Sequence, residues 1–195
     1  MPLERQIKSR WESEFGKELR YLIIREMTSG GDWRQVLQRQ DGWGASNDIG
    51  GIDLSTIRLT GVDLRGSYLG YSNLRGAVLD EANLAGAVLS GVLARGASIV
   101  NANLSGAILD LADLSECDLS GSTLDDTSIA RTNMAHSRLV GTTARRAAVI
   151  DSLFAQADCT RASFREAQFI STSLDDAIVD GADFTGSTWR NLPNL

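Results

Sequence analysis

"NANLSGAILDLADLSECDLS", residues 101–120, carries a leucine at every fifth position: Leu104, Leu109, Leu114 and Leu119. A helix repeats near 3.6 residues and a strand repeats at 2, so neither explains a period of five. Cutting outward from this stretch in fives, from Gly51, gives GIDLS, TIRLT, GVDLR, GSYLG and so on to GSTWR at residue 190, which is 28 units in 140 residues with no slip of phase. The fourth residue is Leu, Ile, Val, Met or Phe in 24 of 28 units, the exceptions being Ala94, Ala144, Cys159 and Trp189. Two positions earlier stands Ala, Ser, Thr or Cys in 24 of 28, the exceptions being Ile52, Ile57, Val62 and Val92. Two inward columns follow, one of large residues and one of small. Gly opens 12 of the 28 units, where a turning backbone tolerates it best.

The units "EANLA", "NANLS", "LADLS" and "GADFT" fit the pattern A(D/N)LXX, and on them the chain resembles the pentapeptide-repeat family over 140 of its 195 residues. That resemblance implies an all-β solenoid, a right-handed quadrilateral β-helix in which four units form one coil, each unit supplying one side and one corner. Seven coils at the spacing of neighbouring strands make a column on the order of 34 Å long. Its interior leaves no lumen, and its stability is expected to be a sum of contacts between adjacent coils. The core sequence shows volume exchange: Phe154, Phe164 and Phe169 share a coil with the small Cys159, and Phe164 stacks over Ala144.

Residues 1–50 follow a different pattern. Leu3, Ile7, Trp11, Phe15, Leu19, Leu22 and Ile23 have helical spacing, with a kink expected at Gly16 and a stop at Gly30-Gly31. Asp32 is placed to cap a second short helix, "WRQVLQRQ", ended by Gly42. These helices are expected to cover the raw end of the solenoid, as repeat arrays require, with partner binding the functional alternative. The division is therefore a helical cap at 1–50, repeats at 51–190 and a tail at 191–195.

Composition narrows the function. The chain carries 25 acidic and 19 basic residues, net −6, which argues against direct nucleic-acid binding. The first 50 residues are neutral, so the excess acid belongs to the repeats. No apolar run approaches the roughly 20 residues of a membrane span, and "MPLERQIKSRWESEF" lacks the apolar core of a secretory signal; the cytosol is the expected compartment.

No catalytic constellation emerges. His136 is the single histidine and opens its unit, facing outward. The pairs Asp125-Asp126 and Asp175-Asp176 lie two and a half turns apart and read as solvated corners. Cys117 and Cys159 point inward two coils apart, beyond disulfide reach. The glycines follow the period of five and form no phosphate loop. Neither metal nor cofactor is expected.

Surface charge remains. Sorted by side of the square, the repeats carry −1, −4, 0 and −1. The second side holds Asp80, Glu116, Asp118, Asp158, Asp176 and Asp180 against Arg58 and Arg138. The leading expectation is a non-enzymatic solenoid that binds a protein partner through this flat acidic side. The alternative, implied by topoisomerase-protecting members of the family, is a DNA mimic acting on gyrase or topoisomerase IV; the Leu-type core column, the N-terminal helices and the uninterrupted coils depart from that group. Finally, Phe184, Trp189 and Leu192 near the C-terminal end mark a candidate surface for a homodimer stacked end to end.

Overall fold

The computed structural model describes residues 3–40, 45 and 47–191. The period of five is set by its corners. All 28 residues that open a unit have positive φ, 12 of them glycine and 16 not. At most corners a carbonyl from the fourth position accepts the amide three residues on, as in Leu104 to Ala107 at 2.9 Å, whereas the Ala102 and Thr132 amides donate to Ser122 and Ser152 Oγ of the next coil. A positive φ at the third residue of such a turn is the type II arrangement.

The recurring Asp or Asn of the motif has a local physical reason. Its side-chain oxygen accepts the amide two residues ahead, just before the corner: Asp53 to Ser55 at 3.0 Å, Asn103 to Ser105 at 3.0 Å, Asp183 to Thr185 at 2.9 Å. These are Asx turns, which favour a bend in the chain over continued strand.

Successive coils then pair in parallel at an offset of 20 residues. Single bridges run from Asp48↔Tyr68 through Asn103↔Thr123 to Ser163↔Asp183. On one side the pairing widens into true strands: β1 (Ser128–Ala130), β2 (Ala148–Ile150), β3 (Gln168–Ile170) and β4 (Thr188–Arg190), in the order β1-β2-β3-β4. Between residues 48 and 191 four pairing positions, five residues apart, fill each 20-residue turn. The first bridge uses Asp48, so pairing begins ahead of Gly51.

The two columns expected to face inward are buried, from Leu54 and Leu59 to Ala167 and Phe169. Hydroxyls in the small column cost little because they reach carbonyls of the preceding coil: Ser122 to Ile99, Thr132 to Leu109 at 2.8 Å, Thr142 to Leu119 at 2.9 Å. In the later coils the core turns aromatic. Phe154 meets Phe164 edge-on at 6.5 Å, and Phe164 and Phe169 stack on Phe184 and Trp189 at 5.2 and 4.1 Å.

The N-terminal helices are α1 (Leu3–Ser9), α2 (Glu14–Ser29) and α3 (Arg34–Gln38). The interruption falls at residues 10–13 rather than at Gly16. Ser13 caps α2 by accepting the Gly16 amide at 2.9 Å. Gly16 serves the turn by having no Cβ, which would sit 2.9 Å from Trp11 Cα and against the Arg10 carbonyl. Gly30, left-handed at φ 76°, ends α2 as expected. Asp32 Oδ1 accepts the Arg34 amide at 3.2 Å ahead of α3, while Gly42 lies outside the described residues.

Leu3 and Phe15, expected in the helical stripe, are 59% and 52% exposed; the stripe that packs is Trp11, Leu19, Ile23 and Met27. These join Trp33, Ile49, Ile52 and Leu54 in one continuous core. Polar side chains complete the junction. Trp11 Nε1 donates to the Gly50 carbonyl at 2.8 Å, Trp33 Nε1 to Asp63 at 3.0 Å, and Arg10 forks onto Asp48 at 2.7 and 3.0 Å.

Candidate functional site

The acidic side is built on two kinds of position. Asp118 and Asp158 occupy the Asx position, so their side chains are held by the backbone before being available to anything else. Asp118 Oδ1 accepts the Ser120 amide at 3.0 Å; Asp158 Oδ1 accepts both the amide and the hydroxyl of Thr160, at 3.0 and 2.6 Å. The Thr160 side-chain and backbone donors hold the Asp158 carboxyl below the usual carboxylate range. Asp80 reaches into the next coil and accepts from Ser98 Oγ at 2.5 Å and the Val100 amide at 3.1 Å.

Glu116 is drawn off the side by a cation. Arg95, one coil earlier on the neighbouring side, donates to it at 2.5 Å. The Arg95 hydrogen bond lowers the Glu116 pKa, assisted by the charges of Arg95 and His136. His136 is exposed at a corner. Arg138 stands in register between Asp118 and Asp158, 3.7 Å from Asp118 Oδ2. A cation thus interrupts the acidic column.

Asp176 and Asp180 behave differently. Both are exposed; the Asp180 carbonyl accepts the Arg161 amide at 2.8 Å, but neither carboxylate accepts a hydrogen bond or forms an ion pair with a described residue. Between them Ile178 and Val179 are 50% and 41% exposed. On this side the last coil therefore presents two free carboxylates flanking one outward apolar residue, Ile178, while Val179 continues the inward column of Leu139 and Cys159 and is exposed at the end of the column. The signal was present in "DAIVD", where an apolar residue takes the Asx position.

The remaining candidates have structural roles. Asp126 forms a bidentate pair with Arg146, both contacts at 2.7 Å, and Asp125 accepts the Arg145 amide at 2.9 Å. Cys117 and Cys159 are buried free thiols, each pushed up to about 12 by burial. Among the described residues no group of three or more His, Cys, Asp or Glu is placed to hold a metal ion, and no helix is long and apolar enough to cross a membrane. Phe184 and Trp189 are partly buried, their rings turned down onto the coil beneath; Leu192 lies outside the described residues.

Clefts occur where the helices meet the first coils. One of about 540 Å³ lies between residues 27–34 and Thr60, Gly61, Val62 and Asp63. Another, of about 410 Å³, is lined by Lys8, Lys17, Arg20 and Arg75 with Trp11 and Leu93. Composition did not reveal the second, because its cations come from segments far apart in the chain.

Among curated proteins nothing matches the chain. Several solved structures are similar to it, three of them as follows. QnrB1, described as a plasmid-mediated fluoroquinolone resistance protein, is 17% identical over 72% of this chain and 84% of its own, with a TM-score of 0.35. A pentapeptide repeat protein from the thylakoid lumen of Arabidopsis thaliana is 26% identical over 60% and 68%, TM-score 0.27. HetL, a pentapeptide repeat protein involved in heterocyst differentiation regulation in Nostoc, is 23% identical over 74% and 86%, TM-score 0.21. The family described as Pentapeptide repeats matches in eight copies across residues 57–93, 72–110, 87–126, 112–147 and 150–188. With two thirds of its length matched in this way, the chain belongs to the pentapeptide-repeat family.

Proposed function

We propose that this protein is a non-enzymatic interaction solenoid, a quadrilateral column of seven coils whose acidic second side docks a basic surface on a partner protein. The observation that carries this reading is the exposed strip Asp176, Ile178 and Asp180. Free carboxylates give orientation and on-rate, and the exposed Ile178 gives apolar area to bury. Asp158, one coil away, extends the strip.

DNA mimicry toward gyrase or topoisomerase IV is the alternative. Duplex DNA presents unbroken negative charge, whereas Arg138 splits the acidic column here and Arg95 neutralises Glu116. Those two cations favour recognition of a particular protein surface over general imitation of DNA.

The test uses Asp118→Asn and Asp158→Asn, which remove charge but keep the Asx acceptor, together with Asp176→Lys and Asp180→Lys. Lysine at 118 or 158 would also delete a corner bond worth about 1 kcal/mol, so it confounds docking with folding. With a basic peptide as probe in fluorescence anisotropy, the quadruple variant is expected to lose binding with its melting temperature nearly unchanged. Retained binding refutes the acidic side. Gyrase supercoiling with the wild-type protein separates the alternative, which an absence of inhibition and of protection would end.

A homodimer through the C-terminal end belongs to the same proposal. In the last coil the amides of Val179, Gly181, Phe184 and Gly186 have no hydrogen-bond partner among the described residues. Unpaired strand edges favour pairing with another chain. Because Trp189 stacks on Phe169, Trp189→Asp would disturb the core; the sounder measurement is the concentration dependence of wild-type sedimentation. A monomer throughout the micromolar range refutes the dimer.

A further inference from the structure

We infer that the cleft between the N-terminal helices and the first three coils is a second recognition site, of opposite charge to the first, which takes an acidic peptide segment. Its cations are assembled from three places: Lys8 at the end of α1, Lys17 and Arg20 on α2, and Arg75 from the second coil. Lys8 and Lys17 are the only two lysines in the chain, and both stand here. The surrounding protein is net −6, so a cationic lining runs against the overall charge.

The internal partners of these cations are few and replaceable. Lys8 and Lys17 pair with Glu4 and Glu14 of their own helices, each at 2.6 Å, and those glutamates are 51% and 92% exposed. Such exposed pairs contribute little and exchange readily for a better acceptor. Arg20 Nε donates to the Asp53 carbonyl at 2.6 Å, which fixes the guanidinium at the rim while its two terminal nitrogens bond to no described residue. Arg75 has one contact at the limit of hydrogen-bonding distance, 3.5 Å to Asn73 Oδ1. Its neighbour in the next coil, Arg95, is already committed to Glu116.

The carboxylate at the floor, Asp53, offsets them only in part, through the charge of Arg20. Asp53 Oδ1 accepts from Ser55 N, Ser55 Oγ and Asn73 Nδ2 at 3.0, 2.7 and 3.1 Å, so neutral donors hold that oxygen and no cleft cation makes a direct ion pair with it. Trp11 and Leu93 add apolar wall. Spaced carboxylates carried on a peptide backbone fit this lining. A polyphosphate fits worse, because Glu12 and Asp53 also border the cleft and the whole chain repels dense negative charge.

The probe is a short fluorescein-labelled peptide rich in Asp and Glu with one leucine, followed by anisotropy at low salt. The wild-type protein is expected to bind it, and affinity is expected to fall at least about tenfold in Lys17→Glu/Arg75→Glu, both exposed positions. Arg161→Glu, a control on another side, and the quadruple acidic-side variant are expected to bind normally, which keeps this site distinct from the acidic one. Thermal melting of Lys17→Glu/Arg75→Glu verifies folding. Absence of binding to the acidic peptide, equal binding of its Gln analogue, survival of binding in Lys17→Glu/Arg75→Glu, or tighter binding of a single-stranded oligonucleotide would each overturn the assignment.

Discussion

Replacing Phe169 with alanine asks whether the coils unfold together or in sequence. Phe169 is fully buried; its ring lies 4.1 Å from Trp189, 5.5 Å from Phe164 and 5.9 Å from Phe184. Truncating a buried Phe costs about 3–5 kcal/mol, and aromatic pairs add roughly 0.5–1.5 kcal/mol each beyond buried area. Three aromatic neighbours place Phe169→Ala toward the upper end of that range. In a one-dimensional array, however, each coil touches only its neighbours, so the loss is confined to openings that separate the last coils.

Native-state hydrogen exchange reads this directly. The amides that bind the final coils, Cys159 to Ile178 at 2.7 Å and Phe164 to Asp183 at 2.7 Å, are expected to lose protection by about a thousandfold, since 1.4 kcal/mol is tenfold. The amides of Leu84 and Leu89, bonded to Asn103 and Ile108, are expected to stay within about twofold of wild type because no contact of Phe169 reaches them. Equal loss at both sets would show a single cooperative unit and refute nearest-neighbour stability. Unchanged protection at Phe164 would refute the contribution of the aromatic stack.

Two glycine substitutions should differ. Gly96→Ala, where a Cβ meets nothing within 4 Å, should cost roughly 1 kcal/mol for a left-handed residue. Gly51→Ala would place a Cβ 2.8 Å from Ile7 and 3.0 Å from the Lys8 amide nitrogen, so it should cost about 2 kcal/mol or more by displacing α1, as urea midpoints would show. At Asp48, burial opposes ionisation, but the Arg10 fork and the Gly50 amide outweigh it and lower the pKa. Its contribution is therefore present above the unfolded value of about 3.9 and is lost as pH falls through the lower folded value; thermal melts of Asp48→Asn should lack that component. Cys117 and Cys159 should resist a thiol reagent in the native protein near neutral pH and react only after denaturation, because burial keeps both neutral.

The repeat was legible because each position has one job that recurs. Leu104, Leu109 and Leu114 fill the core from successive sides by the same geometry, so a single stretch reveals the whole. The purpose of the Asp or Asn was hidden. Its partner is a backbone amide, as at Ser120 for Asp118, and backbone groups leave no trace in a residue pattern. The helices were less legible for a related reason. Apolar spacing suggested Phe15 as core, yet the hinge set by Ser13 rotates α2 so that Leu19, Ile23 and Met27 face the coils. The basic cleft was not legible at all, since Arg20 and Arg75 meet only once α2 lies along the first coils.

Column spacing ties surface to function in one further way. Outward residues stack at the strand spacing, about 4.8 Å, so alternating charges along a column largely cancel and only runs of like charge project a field. Arg138 between Asp118 and Asp158 is such an alternation, with Asp118 35% and Arg138 59% exposed at the side chain. At this spacing in a water-like dielectric each unit charge is felt by its neighbour at roughly 1 kcal/mol. Arg138→Gln should therefore join the two aspartates to the free pair Asp176 and Asp180 as one acidic run. If the acidic side docks a basic surface, this variant should bind the basic peptide several times more tightly at low salt and show a steeper loss of affinity as salt rises. Unchanged affinity would mean that Asp118 lies outside the contact and that the last coil alone is recognised. Weaker binding would mean that Arg138 itself touches the partner, which would overturn docking by uniform negative charge.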